Sequence, residues 1–226
     1  SGGNGYQQFV TTDIASGAFT LAGTSYPFRF RHGSVLPITS EEYARLSSGF
    51  NPVAYPYAHL SFNETSGPSA ADASGHGWNG TLVNGASLTN GLGGKAVALN
   101  GVNGYVSLPG NVTVPLGDFT ISTWVKLNSV DMWSRIFDFG SGTSYYMFLT
   151  PNGGTGNARF AIKAGGTEQV IDGNAPLPAN AWTHVAVSRQ GNYVALYVNG
   201  VEVGNNPSMT IYPSQLRDTW QNWLGR

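Results

Sequence analysis

Residues 182–200 decide how this chain folds, and their sequence is WTHVAVSRQGNYVALYVNG. Val185 and Val187 alternate with small or polar residues, which is the period of a β-strand with one buried face. After a short turn, residues 193–198 repeat the same alternation. Asn199-Gly200 follows, a pair that readily adopts the positive φ angles of a tight hairpin turn. The stretch therefore predicts an antiparallel meander of three strands.

The composition indicates an all-β protein with many turns. The 226 residues include 31 Gly and 12 Pro, and only 10% are charged, which favours short strands joined by tight loops. A hydrophobic content of 41% is enough for a packed core. The net charge is −1 without a basic run, so nucleic acid and anionic membranes are not expected as partners. The absence of cysteine excludes disulfides and thiolate metal sites.

Alternating segments continue along the rest of the chain. Residues 119–127 form the longest one, with Ile121 and Val125 on one face and Ser122 and Trp124 on the other. The spacing of the segments, joined by turn-forming residues, indicates a two-sheet antiparallel sandwich. The other predicted strands are 58–64, 80–83, 95–99, 105–108, 135–140, 145–150, 158–163 and 169–172.

The first 57 residues differ in pattern from the rest. Strands are predicted at 7–11, 18–22 and 26–31. A short helix is predicted at 41–46, where Thr39 and Glu42 match a capping box. Such a segment is too short to bury a core of its own, since domains of about 60 residues are already marginal.

Five motifs in order carry a resemblance to a known family. The chain resembles the laminin-G-like (concanavalin A-like) jelly-roll domains of secreted bacterial proteins, over residues 58–226. This resemblance implies an all-β, two-sheet antiparallel jelly-roll sandwich with a small N-terminal β extension at residues 1–57, in a secreted protein. The motifs are DASGHGWNG at 72–80, LNGVNGYV at 99–106, FTISTWV at 119–125, WTHVAV with LYVNG within 182–200, and NWLGR at 222–226.

The resemblance also raises two questions about domain organisation. In the family, a further strand follows the Leu-Gly-Arg that occurs here at 224–226, so the domain at 58–226 is expected to lack the family's last strand. Residues 1–57 have two interpretations. They are either the tail of a preceding domain, such as a β-L-arabinofuranosidase-like glycoside hydrolase, or an extension that packs on the sandwich and completes it.

Asp72 and Glu64 are the candidate metal ligands. Asp72 lies among glycines and small polar residues, where backbone carbonyls can converge with its carboxylate on a hard cation such as Ca²⁺. In similar domains an aspartate at this place often helps to bind a structural calcium ion, and Glu64 is the second candidate ligand. The alternative for Asp72 is an Asx turn, in which the carboxylate accepts a hydrogen bond from the backbone two residues further on.

The candidate sugar-binding residues are Trp133, Arg135, Asp138, Tyr145 and Tyr146. Carbohydrate sites combine aromatic faces, which stack on the C–H surfaces of sugars, with a few polar groups that fix orientation. The alternative is that the aromatic residues only pack on the sheet and that Arg135 and Asp138 pair with one another or with strand backbone.

The sequence lacks the spacing of a catalytic site. Glucanases of this fold place carboxylates at alternate strand positions, as in Glu-x-Asp-x-x-Glu, and that pattern does not occur here. A Gly-x-Ser-x-Gly nucleophile motif is also absent. We therefore expect a non-catalytic carbohydrate-binding module that binds a polysaccharide or oligosaccharide beside a catalytic domain of the same polypeptide. A structural or protein-interaction spacer, or a fragment of the hydrolase itself, are the alternatives.

Overall fold

The structure is a computed structural model that describes residues 9–10, 20–21 and 56–226. The chain divides into two units, residues 1–55 and 56–226. In the first unit, β1 (Phe9–Val10) pairs antiparallel with β2 (Thr20–Leu21), and both lie within strands that the sequence predicts. The predicted strand 26–31 and helix 41–46 lie outside the described residues.

The second unit is built from antiparallel strands and a single 3-10 turn, at Pro213–Leu216, within residues 56–226. Among the described residues, no helix is long and apolar enough to cross a membrane. The strands are β3 (Ser69–Ala70), β4 (Gly80–Val83), β5 (Ser87–Asn90), β6 (Lys95–Ala98), β7 (Tyr105–Ser107), β8 (Phe119–Lys126), β9 (Phe137–Ser141), β10 (Tyr145–Thr150), β11 (Arg159–Ala164), β12 (Gln169–Asp172), β13 (Trp182–Gln190), β14 (Tyr193–Val198), β15 (Val201–Asn206) and β16 (Gln221–Leu224).

Two large sheets form the sandwich. The first has eight strands in the order β12-β11-β10-β9-β16-β7-β4-β3. The second has four strands in the order β15-β14-β13-β8, and β5 with β6 forms a separate hairpin. The two-sheet antiparallel sandwich that the sequence predicts is therefore confirmed. The last described strand, β16, inserts between β9 and β7, so residues from the end of the sequence lie in the middle of the larger sheet.

The predicted meander forms three of the four strands of the smaller sheet. Val185 pairs with Val198, and Val187 pairs with Leu196, across β13 and β14. The turn to β15 uses Asn199-Gly200 with φ angles of 50° and 80°, the left-handed values that this residue pair tolerates best. The predicted hairpin and the position of its turn are confirmed.

The core lies between the two sheets, where the inward positions of each strand meet. The larger sheet contributes Phe137, Met147 and Phe160, and the smaller sheet contributes Val187 and Leu196, all at most 2% exposed. Burial of one such side chain stabilises the fold by about 1.5–3 kcal/mol. Along β8, burial alternates residue by residue, as the sequence pattern indicates. The outward positions are thereby left for solvent or a ligand.

The predicted strand at residues 58–64 is wrong. The structure has only an isolated bridge there, between Leu60 and Asp72. Phe62 has a φ angle of 56°, which lies in the left-handed region and interrupts the extended backbone that a strand requires. The edge strand beside β4 is instead β3, which lies outside the strands that the sequence predicts.

Candidate functional site

The outward face of the eight-stranded sheet carries the candidate site. Side chains alternate across a strand, so Asp138, Phe148 and Trp223 point away from the core that their neighbours fill. Asp138 lies opposite Phe148 on β10 and opposite Trp223 on β16, which makes the three positions a continuous row across the sheet. We call this surface the outer face of the large sheet.

Trp133 lies over this face from the loop between β8 and β9. Its φ angle of 67° is unusual for a bulky aromatic residue, and such backbone outliers cluster at functional sites. Its amide donates a hydrogen bond to the carbonyl of Asn152 at 2.8 Å. Its ring meets Phe148 edge-on, with centroids 6.3 Å apart, and a side chain at Gly154 would crowd the ring. These contacts hold the ring in place. Trp133 is nonetheless 42% exposed, so its ring is still available to a ligand.

Arg135 connects Trp133 with the sheet. Its guanidinium carbon lies 3.9 Å from the ring centroid of Phe148 and 5.8 Å from that of Trp133, both within range of a cation–π contact. Nη1 donates to the carbonyl of Trp133 at 2.6 Å, and Nε pairs with Oδ2 of Asp138 at 3.2 Å. The pairing that the sequence left open as an alternative is therefore present, and it holds the strained loop in place.

The acidic and phenolic groups of the face are held by neighbours. Burial raises the pKa of Asp138, while the positive charges of Arg135 and Arg226 act in the opposite direction. Burial and the hydrogen bond to Glu168, 2.6 Å long, raise the pKa of Tyr146, so its hydroxyl stays protonated and donates to that carboxylate. The polar groups of this face are therefore positioned by an ion pair and a hydrogen bond.

Tyr145 does not join this group. It alternates with Tyr146 along β10 and so points to the other side of the sheet, where the guanidinium of Arg217 lies 4.5 Å from its ring centroid. The structure thus brings together four of the predicted residues: Trp133, Arg135, Asp138 and Tyr146.

Three further residues of the face were missed by the sequence reasoning. The rings of Tyr105 and Trp223 lie 5.5 Å apart on the neighbouring strands β7 and β16. The guanidinium of Arg226 lies 4.0 Å from the ring centroid of Trp223 and 5.4 Å from that of Tyr105. All three residues lie in motifs that carry the family resemblance, LNGVNGYV at 99–106 and NWLGR at 222–226. Their assembly was missed because the partner strands of β16 cannot be read from local pattern.

Asp72 lies in a loop at the other end of the large sheet, beyond β3. Its Oδ1 accepts hydrogen bonds from the amides of His59 and Ser74, and its Oδ2 accepts from the Ser74 hydroxyl and the Trp78 amide, at 2.7–3.0 Å. Burial favours the neutral acid, but these four hydrogen bonds outweigh it and lower the pKa of Asp72. A carboxylate has about four acceptor sites, so this arrangement matches the Asx-turn interpretation.

Glu64 presents a different environment. Its Oε1 accepts from the amide of Ala71 at 2.6 Å, while its Oε2 is buried without a hydrogen-bond partner. Such an oxygen suits a cation, whereas the oxygens of Asp72 are already engaged. In the part of the chain that the structure describes, no group of three His, Cys, Asp or Glu side chains is placed to hold a metal ion. The calcium site stays a prediction, with Glu64 the better-fitting ligand.

A family model described as the concanavalin A-like lectin/glucanases superfamily matches residues 100–226. This segment includes the whole candidate site. Among curated proteins, none matches the chain.

Several solved structures are similar to this chain. One is an S-layer domain-containing protein from Clostridium thermocellum, with 32% identity, coverage of 68% of this chain and 73% of that one, and a TM-score of 0.47. Another is domain 4 of AbnA, a GH43 extracellular arabinanase from Geobacillus stearothermophilus, in complex with arabinotriose, with 23% identity, coverage of 75% and 81%, and a TM-score of 0.57. The carbohydrate-binding module CBM66 from Bacillus subtilis has 13% identity, coverage of 65% and 91%, and a TM-score of 0.39. The AbnA domain shares the fold.

Proposed function

The chain belongs to the concanavalin A-like lectin/glucanases superfamily, whose model matches residues 100–226, and from that premise we propose that it is a non-catalytic carbohydrate-binding module. One observation carries the proposal: the outer face of the large sheet holds an exposed tryptophan, Trp133, beside the ion pair of Arg135 and Asp138. Sugar-binding surfaces need this combination of an aromatic platform and oriented polar groups.

The polar groups suit the hydroxyls of a sugar. A guanidinium has five N–H donors, and the carbonyl of Trp133 and the carboxylate of Asp138 engage two of those on Arg135. Further donors can reach the oxygens of a sugar stacked on Trp133, and the carboxylate of Asp138 can accept from its hydroxyls. Both side chains are positioned before the ligand arrives, which reduces the entropy lost on binding.

The acids of this face support a binding role rather than hydrolysis. A glycosidase needs two carboxyl groups across one glycosidic bond, about 5–9.5 Å apart. Here Asp138 is engaged by Arg135, and Glu168 accepts the hydroxyl of Tyr146. In this proposal the module belongs to a secreted glycoside hydrolase and holds a catalytic domain of the same polypeptide near its polysaccharide through weak, repeated binding.

Calorimetric titration of this chain with oligosaccharides of arabinan, arabinoxylan, galactan and β-glucan tests the proposal. The arabinotriose found with the AbnA domain makes arabinan the first ligand to try. We expect one class to bind. Trp133→Ala should weaken it about tenfold, since loss of an aromatic contact of about 1.4 kcal/mol changes Kd by that factor.

Trp124→Ala is the matched control, because Trp124 is 51% exposed but lies on the outer side of the smaller sheet. It should leave binding unchanged. Flat titrations for every ligand class would overturn the proposal and favour a structural spacer. Equal losses in the two tryptophan variants would show that the site lies elsewhere.

A further inference from the structure

A second aromatic group lies on the outer face of the large sheet, beside the group that contains Trp133. It consists of Tyr105, Trp223 and Arg226, with the guanidinium over both rings at 5.4 Å and 4.0 Å. The Trp133 group has a similar composition, a tryptophan, a second aromatic residue and an arginine, since Arg135 lies over Phe148 and near Trp133. The two groups therefore repeat one arrangement of cation and aromatic ring on a single face.

The two groups are neighbours on this face. The amide of Arg135 donates a hydrogen bond to the carbonyl of Arg226 at 2.8 Å, which ties the backbone of one group to that of the other. Asp138 lies directly opposite Trp223 on the neighbouring strand and pairs with Arg135. The carboxylate thus lies between the two groups and can serve a ligand that touches both.

The combined surface is wider than a single sugar ring. Trp133 packs on Phe148 of β10, and Tyr105 lies on β7, with β9 and β16 between these strands. Neighbouring strands are about 4.8 Å apart, so the three steps from β10 to β7 span roughly 14 Å. A ligand that contacts both aromatic groups must run across the strands and contain several sugar units.

We propose that this face binds a linear oligosaccharide along its length, with Tyr105, Trp223 and Arg226 forming a second sugar platform beside the one built on Trp133. The inference rests on the proposed function and adds to it the class of ligand: an extended glycan chain rather than a single terminal sugar. Trp223 and Tyr105 are half-buried, and Arg226 is exposed, so its guanidinium can move from the ring of Trp223 to a sugar hydroxyl.

The test is calorimetric titration with length series, from monosaccharide to hexasaccharide, of arabinan, arabinoxylan, galactan and β-glucan oligosaccharides. We expect the affinity of the wild-type chain to rise at least about tenfold along the series, an increment of about 1.4 kcal/mol. Trp223→Ala should remove this rise and leave the binding of the shortest ligands intact, while Trp133→Ala should weaken both. Because Trp223 lies in a central strand, Arg226→Ala serves as a second variant whose side chain is exposed.

Each outcome separates this inference from the proposed function. If mono- and hexasaccharides bind equally well, the second platform is refuted and the carbohydrate-binding proposal stands. If length dependence persists in both Trp223→Ala and Arg226→Ala, the ligand is long but these residues do not hold it, and the assignment fails. If no member of the series binds, the proposed function itself fails. Loss of the length dependence in Arg226→Ala alone supports the inference even when Trp223→Ala does not fold.

Discussion

Asp72 organises its loop through four hydrogen bonds that come from three residues: His59, Ser74 and Trp78. His59 lies 13 positions before it, so the carboxylate also ties the entry of the sandwich to the loop that leads to β4. Hydrogen bonds to an ionised acceptor are stronger than those to a neutral one. The charge on Asp72 therefore contributes to stability, although its half-exposed position moderates the effect.

Acid should remove this contribution. The pKa of Asp72 is lowered in the folded chain, so its stabilisation is complete above the unfolded value of about 3.9 and is lost as the pH falls below it. Asp72→Ala should lower the free energy of unfolding at pH 7 by about 1–2 kcal/mol and weaken its dependence on pH between 4 and 2. Urea unfolding at pH 7 and at pH 3 measures both effects.

Asp131→Ala is the control for this prediction. Asp131 is exposed, and its carboxylate accepts one hydrogen bond, from the hydroxyl of Ser129 at 2.8 Å. Its replacement should change the free energy of unfolding much less. An equal loss of stability in the two variants, or an unchanged acid profile in Asp72→Ala, would contradict the role given to the loop.

A substitution at Glu64 tests the prediction that the chain binds calcium. A buried carboxylate oxygen without a partner is costly, and a bound cation would supply the missing interaction. We expect calcium to raise the melting temperature by about 2–4 °C for each kcal/mol of binding free energy. Glu64→Ala should abolish that rise. If a chelator leaves the melting curve of the wild-type chain unchanged, the calcium prediction fails.

At the scale of elements, β15 shows how the two sheets meet. Leu196 pairs with Gly204 and the next residue, Tyr197, pairs with Glu202, so β15 carries an extra residue that bulges. β15 and β12 are the edge strands of the two sheets, and they approach each other at Gly204. A side chain at this glycine would collide with the carbonyl of Asp172. The close approach therefore requires a residue without Cβ.

Gly204→Ala should separate these edges. We expect a loss of about 1–3 kcal/mol in the free energy of unfolding, the usual cost of forcing a methyl group into a packed site. Gly166→Ala is the matched control, because a Cβ there meets no atom within 4 Å. Denaturant unfolding of both variants measures the two free energies of unfolding. A Gly204→Ala variant as stable as Gly166→Ala would show that β12 and β15 separate freely.

At the scale of the whole molecule, both outer faces expose aromatic residues, so exposure alone does not locate a ligand. On the smaller sheet, Trp124 packs on His184 with ring centroids 5.4 Å apart, and the hydroxyls of Tyr193 and Tyr197 both donate to Glu202. The face of the larger sheet differs because arginine side chains lie over its rings and a strained loop holds Trp133 in place. These features distinguish the proposed site from ordinary surface packing.

Much of the architecture follows from local pattern. The alternation at Val185 and Val187 and the Asn199-Gly200 turn predicted the central hairpin, because strand period and turn geometry depend on neighbouring residues. The same rule separated the inward and outward residues of β8. The strand expected at residues 58–64 failed for a local reason that the pattern does not reveal, the left-handed backbone of Phe62.

By itself, the sequence determined most of the strands and, along those strands, which side chains share a face, since both depend on a period of two along the chain. Only the tertiary structure decided which strands are neighbours. The insertion of β16 between β9 and β7 places Trp223 and Arg226 beside Asp138, far from them in sequence. Strand partners are chosen by packing of the entire core, so the composition of the candidate site could not be read from any one stretch.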